Sequence, residues 1–367
     1  MKYSSILIIL SIFILTSCEK DENEVQPAYD WTIIEYFDNP VEEIYFLDEN
    51  TGFAASIDHD PIFPPFHFSI YKTTNGGNSW VKTFSREYDY PRDNIRLTDL
   101  YFKDINNGYI IIDGNTYKSE DKAETWFKMN IPVQHAKRIL FTTPSKGYCF
   151  GKKDLAYTTD GGINWIKYTD NLFIDSTDQN ENSEFEIVDL QFLSDNSKIG
   201  FLTFSNDSTQ KVFSTNDGGV NWNIYLKENI SVYDMGNIQG VLFISEEEGY
   251  LFNSDGVYQI LNFGSSIIKI KSFFADYYYF GKYTFCMSNE NEIYFTGDEL
   301  LNKTGDKFNT VSQMTIKLPD DSYKQVGIRD LKIVPDVYGF ASGYAHTKAN
   351  NDKYITTKGI ILKYNNK

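Results

Sequence analysis

Thr73-Thr74-Asn75-Gly76-Gly77-Asn78-Ser79-Trp80 opens a pattern that returns three times along the chain. The copies are Ser119-Glu120-Asp121-Lys122-Ala123-Glu124-Thr125-Trp126, Thr158-Thr159-Asp160-Gly161-Gly162-Ile163-Asn164-Trp165 and Thr215-Asn216-Asp217-Gly218-Gly219-Val220-Asn221-Trp222. The shared form is Ser/Thr-x-Asp/Asn-x-Gly-x-polar-Trp, with Ala123 replacing one Gly. It predicts a hairpin turn. An Asp or Asn side chain bonds backbone N–H groups a few residues on, and Gly accepts a positive φ. The Trp opens the returning strand and offers a large apolar surface to a neighbouring sheet. Asn75, Gly77, Trp80, Asp121, Trp126, Asp160, Gly162, Trp165, Asp217, Gly219 and Trp222 are therefore expected to be structural. Two later copies are worn. Asn262-Phe263-Gly264-Ser265-Ser266-Ile267 keeps Asn262 and Gly264, with Ile267 in the Trp place; Gly305-Asp306-Lys307-Phe308 keeps only the Gly and an aromatic.

A second signal precedes each turn: an apolar strand, a short polar turn, then Gly-aromatic. Ile44–Leu47 leads to Gly52-Phe53, Leu100–Phe102 to Gly108-Tyr109, Ile139–Phe141 to Gly147-Tyr148 and Leu190–Leu193 to Gly200-Phe201. Val241–Ile244 leads to Gly249-Tyr250 and Leu331–Ile333 to Gly339-Phe340, while Thr284–Met287 leads to Ile293-Tyr294 without the Gly. Seven such units recur about every 40 to 55 residues, the period of propeller blades. The last unit stops at Gly359–Tyr364 with no fourth strand, while an orphan strand, Trp31–Tyr36, begins with Trp at the other end. Pairing the two closes a ring and removes the open edges. The expected fold is all-β, a seven-bladed β-propeller of four-stranded antiparallel blades, closed by N- and C-terminal strands in one blade.

The turn motif resembles the Asp-box, or bacterial neuraminidase repeat. The whole run from Trp31 to Tyr364 is similar to the photosystem II stability/assembly factor-like propellers. That resemblance implies a binding or assembly role. The sialidase branch of Asp-box proteins implies instead three converging Arg and a Tyr–Glu nucleophile pair. This chain has five Arg (Arg86, Arg92, Arg96, Arg138 and Arg329), three of them in one connection.

The N-terminus carries a positive Lys2 and an apolar run from Ile6 to Leu15, too short to span a bilayer. Leu15-Thr16-Ser17-Cys18 resembles the lipobox of bacterial lipoproteins, which implies acylation of Cys18. Glu19–Glu24 is similar to the acidic export signal of surface lipoproteins. The expected organisation is a signal peptide over 1–17, an acidic tether over 18–29 and one propeller over 30–367, displayed at the outer membrane. Cleavage removes Lys2 and no acid, taking the formal charge from −17 to −18. That sign excludes binding nucleic acid through phosphate neutralisation. Cys149 and Cys286 fall in different units and are expected as buried thiols, not a bridge. Asp58-His59-Asp60 with His67 and the stretch Asp175–Asn182 read as loops, so no metal or cofactor is expected.

In a four-stranded blade the first-to-second turn and the motif turn share one face. Every long insertion belongs to the other: Asp58–His67, Thr83–Leu97, Lys167–Glu186, Ile268–Lys282, Asn309–Val326 and Tyr344–Asp352. Variable loops are where repeat folds bind. Aromatics crowd two of them, so Tyr277, Tyr278, Tyr279, Phe63 and Phe66 are candidate ligand contacts. The functional expectation is a non-catalytic cell-surface lipoprotein that binds a protein or glycan. The alternatives are an Asp-box glycoside hydrolase and an assembly factor for an outer-membrane complex.

Overall fold

The computed structural model describes residues 30–58, 66–88, 96–168, 186–194, 197–205, 210–226, 238, 240–253, 256–272, 284–287, 292–297, 300–318, 323–334, 338–348 and 355–364. Cys18, Phe63, Tyr277, Tyr278 and Tyr279 lie outside them. All regular structure among the described residues is strand.

The chain begins with β1 (Trp31–Phe37) and then lays down one blade after another. Blade one holds β2 (Val41–Phe46), β3 (Gly52–Ile57), β4 (Phe66–Thr73) and β5 (Val81–Tyr88). Blade two holds β6 (Leu97–Phe102), β7 (Gly108–Ile112), β8 (Asn115–Ser119) and β9 (Phe127–Lys128). Blade three holds β10 (Arg138–Phe141), β11 (Gly147–Phe150), β12 (Leu155–Thr158) and β13 (Ile166–Lys167). Blade four holds β14 (Glu186–Phe192), β15 (Gly200–Ser205), β16 (Gln210–Thr215) and β17 (Asn223–Ile224). Blade five holds β18 (Gly240–Phe243), β19 (Gly249–Asn253), β20 (Gly256–Leu261) and β21 (Ser266–Ser272). Blade six holds β22 (Phe285–Met287), β23 (Ile293–Gly297), β24 (Leu300–Thr304) and β25 (Ser312–Gln313). After β26 (Ile316–Lys317) come β27 (Tyr323–Val334), β28 (Tyr338–Lys348) and β29 (Ile355–Tyr364) of blade seven.

Blade seven closes as the sequence predicts. β1 pairs antiparallel with β29, from Trp31 opposite Tyr364 to Phe37 opposite Gly359. The register reproduces that of a complete blade. In blade four Ser214 pairs with Phe201 and Asn223, the residue after Trp222. In blade seven Lys363 pairs with Phe340 and Thr32, the residue after Trp31. Trp31 thus occupies the Trp place of a seventh motif whose turn is replaced by the two chain ends. One strand was not foreseen: β26 adds parallel to β1, so this sheet has five strands, ordered β26-β1-β29-β28-β27.

Several expected insertions prove to be strand. Thr83 to Tyr88 extends β5, Ile268 to Ser272 extends β21, and Tyr344 to Lys348 extends β28. Asn309–Val326 contains β25, β26 and the start of β27. The polar residues alternating there read as loop, although an outer or projecting strand has water on both faces and needs no apolar side.

Seven buried clusters each bridge one pair of consecutive blades, and the seventh joins blade seven to blade one. The first strands of neighbouring blades touch one another, so they form the inner wall of the ring. Cys149 is buried in one of these clusters and Cys286 is half-buried, both as free thiols. Burial pushes the Cys149 thiol up to about 12 and the Cys286 thiol up to about 11, against the pull of Lys332 on Cys286.

Trp31 is fully buried between blades six and seven, with its indole N–H on Met314 Sδ at 3.2 Å. Trp31→Ala leaves a cavity at the only seam of the ring, at an expected cost of about 3–5 kcal/mol in a urea melt. A loss below about 1 kcal/mol would mean that the closing strand does not depend on this contact.

Candidate functional site

The motif turns are built by short side chains. In blade three the Thr158 hydroxyl donates to Asp160 Oδ1 at 2.8 Å and accepts the Gly162 N–H at 3.0 Å. Asp160 then accepts the N–H groups of Ile163 and Asn164, and the Asn164 amide at 2.7 Å. Asp217 repeats the set in blade four, Asp121 does so with Thr125, and Asn75 uses its amide on Ser79. The Asn164 N–H and amide hold the Asp160 carboxyl at about 2. Burial would raise Asp217, but the Asn221 bonds outweigh it and bring it also to about 2. These oxygens are committed to the turn.

Gly162 and Gly219 stand at φ 90° and 79°, and a Cβ on either would come within 2.7 Å of the Tyr109 or Tyr148 hydroxyl of the preceding blade. The backbone there must be bare for the rings to fit beneath it. The Tyr148 hydroxyl donates to the Gly218 carbonyl, and Tyr109 reaches the Gly161 carbonyl at 3.5 Å. The motif Trp rings meet the last Phe of their own first strand edge-on: Trp80 on Phe46, Trp126 on Phe102, Trp165 on Phe141 and Trp222 on Phe192.

The worn copies divide. Thr304 donates to Asp306 at 3.0 Å and accepts the Phe308 N–H at 2.9 Å, while Asp306 accepts the Thr310 N–H and hydroxyl. Blade six therefore has a full turn read from Thr304, with Phe308 in the second Gly place at φ 67° and Val311 in the Trp place. Reading it as only a Gly and an aromatic missed Asp306, because the bulky Phe308 hid the register. In blade five Ile260 occupies the hydroxyl position, opposite Gly249. With no hydroxyl to bond Asn262, the Ser265 N–H bonds the Leu261 and Asn262 carbonyls and makes a tighter hairpin. Asn262 and Gly264 take positive φ within that hairpin.

Of the proposed aromatic contacts only Phe66 lies among the described residues. Phe66 belongs to β4, paired with Tyr88, instead of to a loop. The structure instead places charge on the inner wall, which sequence reasoning overlooked. Glu43, Asp99, Asp189 and Asp330 each stand just after a register shift in a first strand, three residues before Phe46, Phe102, Phe192 and Ile333. Asp330 accepts the Ile44 N–H of the next blade at 3.1 Å, and Asp99 accepts that of Ile139 at 2.7 Å. Arg138 takes the same place in blade three and reaches Asp189 of blade four at 2.7 Å. Its charge is held most strongly by Asp189, then by Asp99 and Glu43. Arg138 is half-exposed, with 49% of its side chain open to solvent. Toward the long-loop end, Lys137 at 3.1 Å and Lys152 at 2.9 Å share Glu186. The recurring acid-x-x-Phe in the first strands was the available signal.

An open cleft of about 800 Å³ also runs along β4 and β5 of blade one, from Tyr71 and Lys82 to Asp58 and His67 at the long-loop end. Its lining carries charge of both signs, with Lys82 and Arg86 beside Asp38, Asp58 and Glu87. Among the described residues no cluster of three His, Cys, Asp or Glu is placed to hold a metal.

No protein-family model matches the chain, and no curated protein matches it. Solved structures do share its fold. A structure of YCF48 bound to D1 peptide is 13% identical with a TM-score of 0.60, covering 93% of this chain and 98% of that one. YCF48 from Cyanidioschyzon merolae is 15% identical with a TM-score of 0.57, covering 92% and 99%. A GH74 enzyme of Niastella koreensis is 13% identical with a TM-score of 0.52, covering 85% of this chain but 52% of that one. These likenesses establish a seven-bladed β-propeller, in agreement with the blade count above.

Two measurements check the roles assigned here. Asp160 and Asp217 ionise more easily folded than unfolded, where a carboxyl titrates near 3.9. The stability they lend is complete above about pH 4 and drains away as pH falls toward 2. Asp160→Asn should fold, as Asn75 does in blade one, and should show a shallower acid limb in pH-dependent unfolding. An unchanged limb would remove Asp160 from the acid transition. Arg138→Gln leaves the channel acids facing one another and should cost about 1–3 kcal/mol, the figure for a buried pair discounted for channel water. Asp189→Asn should cost less, and additivity in the double variant would show that the pair is not coupled.

Proposed function

We propose that this chain is a non-catalytic, lipid-anchored propeller at the cell surface that binds a protein partner at its long-loop end. One observation carries the reading. The connections that differ between blades lie at one end of the ring, together with the blade-one cleft and the Lys137–Glu186–Lys152 cluster at the channel mouth. The opposite end is occupied by turns whose polar side chains are spent on the fold. Charge of both signs around the cleft suits a polar peptide segment, which offers amide groups and side chains of either sign. The YCF48 structure with a bound peptide, aligned over nearly all of both chains, is a precedent for such a ring holding a peptide. Anchoring rests on the Leu15–Cys18 lipobox resemblance, and surface display on Glu19–Glu24. A helper in assembling an outer-membrane complex is one form this role takes.

Capture from the native envelope tests the binding reading. Lys82→Glu with Arg86→Glu should lose the captured protein at unchanged melting temperature, whereas Asp160→Ala should lose stability first. Undiminished capture by the charge-reversed ring would refute the placement, and cleavage of any glycan offered to the wild type would refute the non-catalytic reading. Separately, Cys18→Ala should abolish labelling by a palmitate analogue in the native host; retained label would refute the anchor.

A further inference from the structure

We infer that the turn-bearing end of blades three to five is a membrane-contact surface that takes the headgroup layer of a lipid bilayer; this rests on the lipid-anchor reading above. Three successive turn tips carry a large, exposed apolar side chain: Ile163 at 76%, Val220 at 60% and Phe263 at 52% of its surface. Water penalises such tips, and the turns do not require them. Asn78 and Glu124 fill the place of Ile163 and Val220 in blades one and two, and Asn309 fills it in blade six. Ile166 and Ile224 on the adjoining outer strands are exposed as well, as Val81 and Phe127 are on those of blades one and two, so the tips alone set this sector apart. The Tyr168 hydroxyl on the Val220 carbonyl, at 3.0 Å, fixes blade three against blade four there.

Lysines stand between the tips. The Lys103 ammonium lies over the Phe141 ring, 5.3 Å from its centroid, and 3.0 Å from where a Gly161 Cβ would be. Lys146 crosses Tyr148 and stands likewise 3.1 Å from Gly218. Cations beside the tips of blades three and four suit an interface where acyl boundary and anionic headgroups meet, while the exposed Glu246 and Glu247 between the Val220 and Phe263 tips stay on its water side. A protein partner would favour one continuous apolar core instead.

The chain itself says which surface this end meets. Trp31 opens β1 opposite Tyr364, at the end of the ring that carries the turns. The stretch from Cys18 to Trp31 spans at most ~45 Å when fully extended. Acylation at Cys18 therefore keeps the turn end within that distance of the bilayer.

The test uses the mature acylated protein in vesicles of phosphatidylethanolamine and phosphatidylglycerol. Ile163→Cys, Val220→Cys and, as reference, Asn78→Cys each carry a polarity-sensitive dye, read with a nitroxide quencher in the lipid phase. Cys149 and Cys286, buried and half-buried, are replaced by Ala in all three variants, so that only the introduced thiol takes the dye. Quenching at 163 and 220 should exceed that at 78 by about twofold or more, as expected for side chains seated in the interface. Equal quenching at all three, with palmitate present on Cys18, overturns this inference and leaves the anchor standing. Absence of palmitate overturns both. Protection of positions 163 and 220 without vesicles, rising with protein concentration, would assign the surface to a second copy of the chain and also overturns it.

Discussion

The ring depends on one recurring contact: the aromatic side chain after each second-strand start slides beneath the following blade. Phe53 stacks on Phe102, Phe201 on Phe243, and Phe340 on Phe46, with ring centroids 3.5 to 3.8 Å apart. Tyr109 and Tyr148 fill the equivalent place against Phe141 and Phe192. Each first-strand Phe lies over its own blade's Gly, where a Cβ on Gly52 or Gly108 would come within 2.6 Å of the ring. A side chain at either Gly would push the ring off its neighbour and open the interface. The turn motif and the Gly-aromatic dipeptide are thus two halves of one interaction, made between blades and not within one. A single blade would expose both halves, so stability belongs to the closed ring.

Closure accordingly needs more than a ladder of strand pairs. At blade seven the missing turn is replaced by a local set of bonds. Asp30 accepts from the Thr315 N–H and hydroxyl, and the Trp31 N–H donates to the Thr315 carbonyl. β26 lies parallel to β1 and covers the start of the strand that a peeling motion would lift first. Segments 283 residues apart, Met314 and Trp31, meet in the same cluster, so the seam is a long-range contact formed only when the ring is complete.

What could be read in the residues follows from this geometry. Blade number, closure and the structural role of Asp160 or Trp222 were legible because each interface demands specific residue types at fixed offsets. Asp306 escaped because Phe308 tolerates the positive φ that a Gly usually marks, its ring being fully buried against Tyr250. β26 escaped because two residues paired in parallel leave no alternating pattern. The channel charges were visible as acid-x-x-Phe but carried no meaning until seven first strands were brought around one axis. Arg138 belongs to that site only because blades one, two and four turn Glu43, Asp99 and Asp189 toward it. Tyr277 and its neighbours follow no repeat in the sequence, so no offset in the pattern gives them a place.

The same constraint separates the work of the two ends. At the turn end, substitution is restricted by the neighbouring blade: Gly162 cannot gain a side chain, and the Asp217 oxygens cannot be diverted to a ligand. The tips alone are free, and only there do Ile163 and Val220 replace the polar residues of other blades. At the opposite end the strands leave the ring, and projections such as the β27–β29 sheet grow without touching an interface between turns. A surface that must vary to recognise a partner is compatible with that end and incompatible with the other. Strand polarity within one blade, set by where Trp31 pairs with Tyr364, therefore decides at which end of the ring the chain enters it.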